Sequence, residues 1–337
     1  MEPVEIREAD LLLRPFRVTD ADAVHRAGQD AEIQRWTTVP RPYLRRHAVE
    51  FVTSYTEQAW GTGTGAPLGV FDAATGEMLG SNGFIMVQRD YRVGEIGYWV
   101  APWARGRGVA VAATRAVARW GLNTLGLERI AWRAELGNHA SRVVAHHLGF
   151  RMEGVLRAGA PTFDGHRVDC WSAGLLPGEL REAGEALGPT DRLLIDQARV
   201  FGRPQPTLTA VTAGGAGLTL RPPAERDLDA IVAACSDPET VRWTTVPDPY
   251  GRPQAEFFVF GRAPRRWAAA GGMTCAIADA EDRYCGSMEL RLAADDPAVA
   301  DVGYLVAPWA RGLGYASGAL VGVCRWGFDV LGLRRID

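Results

Sequence analysis

The sequence predicts an α/β fold of the α+β kind, present twice: a mixed, mostly antiparallel sheet with helices packed on it. Three observations carry this. Residues 98–121, YWVAPWARGRGVAVAATRAVARWG, read as a strand, a glycine turn and a long helix. A second copy of that stretch, YLVAPWARGLGYASGALVGVCRWG, stands at 304–327. Around the first copy, period-2 runs alternate with helical runs in the order β-α-α-β-β-β-α-β-α-β-β.

In chain order, Leu11–Pro15 is a short apolar strand. Thr19 and Asp20 cap a helix that carries Ala23, Val24 and Ala27 on one face. RWTTVPRPY, 35–43, is β-branched, aromatic and interrupted by Pro40 and Pro42, which predicts a rigid irregular loop. Ala48–Trp60 is an amphipathic helix ended by the glycines from Gly61 to Gly65. Strands follow at Pro67–Asp72, Glu77–Val87 and Val93–Val100, with hairpin turns at 74–76 and 88–92. Pro102 blocks further ladder pairing, and Arg105-Gly106-Arg107-Gly108 turns the chain into the helix that begins at Val109. Arg129–Ala134 is a strand, Asn138–Leu148 a helix ended by Gly149, and Arg151–Arg157 and Val168–Leu175 are the last two strands.

This gives a complete domain at 1–177. From 178 to 216 the composition turns small and polar around a short helix at Asp191–Val200, and Pro204, Pro206 and Gly214-Gly215 mark a linker. A second domain, 217–337, repeats the first: LLLRPFRVTD at 11–20 matches LTLRPPAERD at 218–227, and RWTTVPRPY matches RWTTVPDPY at 242–250. It stops at Asp337, within the strand that matches Arg129–Ala134, with no counterpart of the final helix and two strands. A piece of a longer chain is the expectation, and a decayed half is the other reading.

Composition excludes several classes. At 47% apolar and 23% charged residues the chain is neither disordered nor membrane-like, and its formal net charge of −3 argues against a general nucleic-acid binder. All 37 basic residues are Arg. The N-terminus has no basic-then-apolar leader pattern, and no apolar run approaches the roughly 18 residues of a membrane span. The five cysteines are scattered, odd in number and outside metal-ligand spacing; His146 and His147, neighbours on a helix, point in different directions. A cytoplasmic, reduced protein without a metal, without a nucleic-acid partner and without a membrane partner is expected.

The glycine turn carries the chemistry. Feeding a helix N-terminus, it offers unpaired backbone N–H groups and the positive end of the helix dipole, which together suit a phosphate, and Arg105 and Arg107 add charge. It is not a P-loop, because Gly108 is not followed by Lys-Ser or Lys-Thr, and it lacks the third glycine of a dinucleotide fingerprint.

The run Arg105, Gly106, Arg107, Gly108, Val109, Ala110 resembles the [Q/R]-x-x-G-x-[G/A] motif of the GNAT acyltransferases. Together with GEIGYWVAPWARGRGVA, NHASRVVAHHLGFRMEG and RWTTVPRPY it is similar to the RimJ/RimL-like, ribosomal-protein N-acetyltransferase branch of that superfamily. The resemblance runs from about Leu11 to Leu176 and again from Leu218. It implies the acyl-CoA N-acyltransferase fold, with central strands that splay to admit coenzyme A, acetyl-CoA as co-substrate and no metal. Those six residues would hold its pyrophosphate, and the strand ending at Val100 would face the pantetheine amides. Arg311, Gly312, Gly314 and Ala316 are their second-copy counterparts.

By the same resemblance Glu95, in GEIGYWV, draws the proton from an attacking amine, since only a neutral amine attacks a thioester. An exposed strand Glu in a cross-strand pair is the structural alternative. Asn138 and Ser141 form an N-x-x-S helix start, an ordinary N-cap pattern. The resemblance adds cofactor contact for both and protonation of the departing thiolate by Ser141. Where many relatives place a Tyr acid this chain has Ala145. Trp36, Tyr43 and Trp99 fall where family acceptor pockets form, although core packing is the commoner fate of aromatics. Direct acetyl transfer to a primary amine, either a protein N-terminus or a small-molecule amine, is the expectation. The alternatives are a non-catalytic coenzyme A-binding sensor or scaffold, and antibiotic-type amine acetylation.

Overall fold

The structure is a computed structural model that describes residues 1–337, and it divides into two compact units, 1–187 and 188–337. In the first, the elements run β1 (Ile6–Glu8), β2 (Leu11–Arg14), α1 (Ala21–Gly28), α2 (Ala31–Trp36), α3 (Arg45–Glu50), α4 (Thr56–Thr62), β3 (Ala66–Asp72), β4 (Met78–Gln88), β5 (Val93–Val100), α5 (Val109–Asn123), β6 (Arg129–Glu135), α6 (His139–Leu148), β7 (Arg151–Pro161) and β8 (Arg167–Leu175). They form an eight-stranded sheet in the order β1-β2-β3-β4-β5-β6-β8-β7, antiparallel at every step except the parallel pairing of β5 with β6.

Alternation along the strands buries both faces of the sheet. Leu68, Val70, Phe84, Ile96 and Trp132 share one core with Val117 of α5 and Leu148 of α6. On the other face Phe71, Met78 and Trp99 pack with Val24 of α1, Ile33 of α2 and Val52. A sheet closed on both sides holds its strands rigidly, so a gap between two of them is a built feature of the fold.

The structure departs from the sequence reading at four places. Strand β1 was not expected; three residues with two charges carry too weak a pattern, and its pairing with β2 supplies what propensity does not. The stretch expected to be irregular from Arg35 is helical through Trp36, because the Asp30 carboxylate accepts the Ile33 N–H and caps α2. The helix expected at Ala48–Trp60 is α3 and α4 joined by a π-helical turn, Phe51–Tyr55. Strand β7 runs on to Pro161 with register shifts between Met152 and Gly154 and between Leu156 and Ala160.

The second unit runs α7 (Pro189–Phe201), β9 (Leu208–Val211), β10 (Gly217–Arg221), α8 (Leu228–Cys235), α9 (Pro238–Trp243), α10 (Arg252–Glu256), α11 (Ala263–Ala268), β11 (Gly272–Ala278), β12 (Tyr284–Leu292), β13 (Val299–Val306), α12 (Tyr315–Asp329) and β14 (Arg335–Ile336). Its six strands lie in the order β14-β13-β12-β11-β10-β9. The stretch read as a linker is therefore structural in large part. Phe201 of α7 enters the second core, and β9 pairs with β10 where β1 pairs with β2. No helix in either unit is long and apolar enough to cross a membrane.

Candidate active site

The site begins with a defect in the ladder. Strands β4 and β5 pair from Gly80↔Val100 to Phe84↔Ile96, then shift register so that Met86 faces Glu95 and Ile85 is extruded. Such a bulge bends and over-twists its strand. On the other side of β5, parallel pairing with β6 covers only Val93↔Arg129, Gly94↔Ile130 and Glu95↔Ala131. From Ile96 to Val100 the edge of β5 facing β6 has no strand partner. The central strands thus part at the level of Glu95, and the fold implied by the resemblance is the fold present.

At the end of β5 the chain makes a 3-10 turn at Pro102–Ala104 and enters the glycine loop. Gly106 and Gly108 both sit at φ 75°, which an L side chain tolerates poorly, and the space beyond each is open. Gly108 is the N-cap of α5, with no side chain capping it and no acidic residue in the first turn. The first intrahelical bond runs from the Ala112 N–H to the Gly108 carbonyl, so the N–H groups of Val109, Ala110 and Val111 face outward from the helix end. A helix end with free N–H groups of this kind suits an anion. The Arg105 guanidinium grips Asp30, Nη2 to Oδ1 at 2.5 Å and Nη1 to Oδ2 at 3.2 Å. That clamp ties the loop to the start of α2 and holds the Asp30 carboxyl below its ordinary range. Arg107 reaches Asp72 at 3.8 Å.

Across the gap stands α6. The Asn138 side-chain oxygen accepts the Ser141 N–H at 3.1 Å, the capping arrangement. Ser141 Oγ lies 2.9 Å from the Tyr98 hydroxyl, and the Trp132 indole N–H donates to Ser141 Oγ at 3.1 Å and more weakly to Tyr98 at 3.3 Å. One residue each from β5, β6 and α6 therefore meet where the strands part. Sequence reasoning found Ser141 and missed Tyr98 and Trp132, although Tyr98 stands inside GEIGYWV and recurs as Tyr304. Burial pushes the Tyr98 phenol up to about 12, against the pull of its hydrogen bonds to Ser141 and Trp132, so it stays protonated as a donor at neutral pH.

Glu95 lies on the opposite face of β5, in a cleft of about 840 Å³ that it shares with Arg35, Trp36, Ile85, Arg133, Glu135 and Phe163. Its carboxylate is 13% exposed and 3.6 Å from Arg133. Burial raises its pKa, and the Arg133 charge only partly offsets that. This is an acid of raised basicity facing open space. Trp36 forms part of the wall, its indole N–H on Glu32 and its ring under the Arg35 guanidinium. Arg35 in turn makes a two-pronged pair with Glu135 across the cleft floor. Tyr43 and Trp99 are placed elsewhere. Tyr43 is 6% exposed, its ring filling the space left by the missing side chain of Gly28, where a Cβ would lie 2.2 Å away. Trp99 closes the same region, leaving a residual void of about 30 Å³.

Cys170 is buried and its thiol is pushed up by that burial, which keeps it protonated and disfavours an acyl-cysteine route. No group of three or more His, Cys, Asp or Glu side chains is arranged to hold a metal ion.

The second unit repeats the frame with altered parts. Arg311 grips Asp237 at 2.6 Å as Arg105 grips Asp30, and Gly314 caps α12 as Gly108 caps α5. A Cβ at Gly314 would nevertheless lie 3.5 Å from Thr212, because the hairpin turn after β9 stands over this loop, whereas one at Gly108 meets nothing within 4 Å. Strands β12 and β13 pair without a bulge, which sets Asp301 opposite Arg291, and the two form a 2.5 Å ion pair. The Glu95 counterpart is thus neutralised by a cross-strand partner.

The acetyltransferase (GNAT) domain family matches residues 10–151 and 217–336, once in each unit, and the chain belongs to that family. Curated relatives include the uncharacterized N-acetyltransferase YoaA of Bacillus subtilis, 29% identical over 153 residues that make up 45% of this chain and 86% of YoaA. The uncharacterized N-acetyltransferase p20 of Bacillus licheniformis is 26% identical over 151 residues, 44% of this chain and 82% of p20. Among solved structures, a ribosomal-protein-S5-alanine acetyltransferase from Vibrio fischeri aligns with 53% of this chain and 100% of its own, at 16% identity and a TM-score of 0.46. The chain is an N-acetyltransferase of a family whose members use acetyl-CoA.

Proposed function

We propose that the first unit binds acetyl-CoA and transfers its acetyl group to a primary amine, with a protein N-terminal α-amine as the favoured acceptor. The observation that carries this reading is the parting of β5 and β6 at Glu95, with the open helix end of α5 at one end of the gap and the buried carboxylate on the other face of β5. The N–H groups from Gly108 to Ala110 would take the pyrophosphate, and the unpaired edge of β5 up to Val100 would take the pantetheine amides. In this reading the loop's backbone meets the phosphates, and Arg105, clamped to Asp30, braces the loop.

Glu95 takes the amine proton, directly or through one water, as its raised pKa suits. Direct attack follows: the amine nitrogen bonds to the thioester carbon, the carbonyl oxygen takes up the electron pair beside a β5 N–H, and the C–S bond then breaks. The nitrogen's remaining surplus proton passes to the thiolate, with the Ser141 hydroxyl, hydrogen-bonded to the Tyr98 phenol, as the relay that gives up its own proton and takes up that one. A thiol of pKa near 8.5 is a tolerable leaving group, so this last assistance is the smaller contribution.

An α-amine of pKa near 7.7–8 is roughly a tenth neutral at pH 7, whereas a lysine near 10.4 is almost wholly charged. A single buried base, Glu95, serves the first case better. An acceptor panel of peptides, each with a free or blocked N-terminus and with or without lysine, plus polyamine and aminoglycoside amines, tests this. Acetylation confined to free N-termini is the expected result. Acetylation confined to lysine side chains or to the small amines would overturn the acceptor assignment.

A further inference from the structure

The two units offer an internal comparison at the place where the first is plugged. In the first unit, the space between α1, the π-helical turn and β5 is filled by the Trp99 indole and by the Tyr43 ring, which fits only because residue 28 is glycine. The second unit keeps the same walls: Ile231 for Val24, Val246 for Val39, Phe258 for Phe51 and Tyr250 for Tyr43. Two residues differ in the direction that opens it. Leu305 replaces Trp99, removing the plug, and Cys235 replaces Gly28, placing a side chain where the tyrosine ring would lie. Tyr250 has moved out to share a hydrogen bond with the Cys235 thiol. In the first unit this plugged space is a void of about 30 Å³ separate from the Glu95 cleft; in the second the same space is continuous with the wall at Trp243, Thr244 and Thr245, and together they form one cavity of about 710 Å³. That is the size of a small-molecule site, with an apolar and aromatic lining.

One end of this cavity is charged, at positions that are uncharged in the first unit. Glu289, Arg262 and Arg291 line it where the first unit has Gly83, Tyr55 and Ile85. Glu289 is 8% exposed and already satisfied, with Arg262 at 3.0 Å and Arg266 at 3.3 Å on the same oxygen. Arg262 remains half exposed with donors to spare, whereas Arg291 is engaged by Asp301 at 2.5 Å and lies 3.8 Å from Glu289. Three arginines, Arg262, Arg266 and Arg291, face two carboxylates, Glu289 and Asp301, and the surplus donors of Arg262 favour an anion, which Arg binds through paired donors. Meanwhile the Thr212 turn lies alongside the loop at Gly314, and Asp301 is held by Arg291.

The geometry points to a second binding site in this chain: the Leu305 cavity of the second unit takes a small molecule with an aromatic or bulky apolar body and an acidic head group, seated on Arg262. It is a binding site and not a second acetylation site.

The test uses the full chain and two related fluorophores, the anionic 8-anilinonaphthalene-1-sulfonate and the neutral N-phenyl-1-naphthylamine. The sulfonate is expected to saturate one site per chain, with fluorescence unaffected by Gly108→Trp or by excess coenzyme A. Leu305→Trp should weaken both probes at least about tenfold, while Arg262→Gln should weaken the sulfonate about fivefold and leave the neutral probe unchanged. If Leu305→Trp melts at lower temperature than the parent chain, Leu305→Phe carries the same expectation with a smaller plug. Unchanged binding in the folded plug variant, or competition by coenzyme A, would place the probe elsewhere and overturn the proposal. Equal loss of both probes in Arg262→Gln would overturn the acidic head group.

Discussion

Glu95 shows how one position reads differently in sequence and in space. In GEIGYWV it is one acid on a strand, equally a cross-strand partner or a base. The fold resolves this by burying the carboxylate beside a cleft and giving it only a 3.6 Å contact with Arg133. Because burial raises its pKa, activity at low substrate should rise with pH through a limb lying above an ordinary glutamate value. Glu95→Gln should abolish that limb and slow thiol release about 10²–10⁴-fold; a pH–rate profile of both proteins checks this, and an unaltered limb would remove Glu95 from the chemistry. Arg105 was legible as a loop residue and not as a clamp, since its partner Asp30 lies 75 positions away. Asp30 both caps α2 and holds Arg105, so Asp30→Ala should cost about 1–2 kcal/mol of stability and weaken acetyl-CoA binding. The combination with Arg105→Ala should be less than additive in a double-mutant cycle. Tyr43 and Trp99 fell at the right height in the sequence, but their side chains serve the core, a distinction that depends on Gly28.

Elements were read well where periodicity is strong, as for α5, α6 and the central strands. They were missed where tertiary pairing outweighs propensity, as for β1, or where a bulge displaces one residue, as at Ile85. That bulge matters most at this scale: it sets the acid opposite Met86 in the first unit, and its absence sets Asp301 on Arg291 in the second. Helix α6 makes a separate prediction. His146 is 3% exposed, and burial, with the charges of Arg142, His147 and Arg181 adding to it, lowers its pKa to about 3. Below about 6.5 the unfolded chain binds a proton that the folded chain refuses, so stability is lost as pH falls from there towards 3. The contribution has a slope of up to ~1.4 kcal/mol per pH unit. Denaturant titrations between pH 7 and 4 should show a shallower decline in His146→Leu than in the parent; parallel declines would show that the imidazole is not the group responsible.

At the scale of the whole molecule, the duplication was the plainest message of the sequence, and the divergence of the copies was the part it hid. Single substitutions mark that divergence: Trp99 to Leu305, Gly28 to Cys235, Ile85 to Arg291. Their effect is not evident until the packing around them is known, when together they open a filled space and turn a loose 3.6 Å contact of the acid into a 2.5 Å cross-strand ion pair. The segment before the second repeat, composed like a linker, became a helix and an edge strand because Phe201 and β9 have a core and a ladder to join. The account that results assigns acetyl transfer to the first unit alone. Calorimetric titration of the full chain with acetyl-CoA tests it most directly, alongside Gly108→Trp and Gly314→Trp. One site per chain, lost in Gly108→Trp and kept in Gly314→Trp, is the predicted result; two sites, or a site lost only in Gly314→Trp, would contradict it.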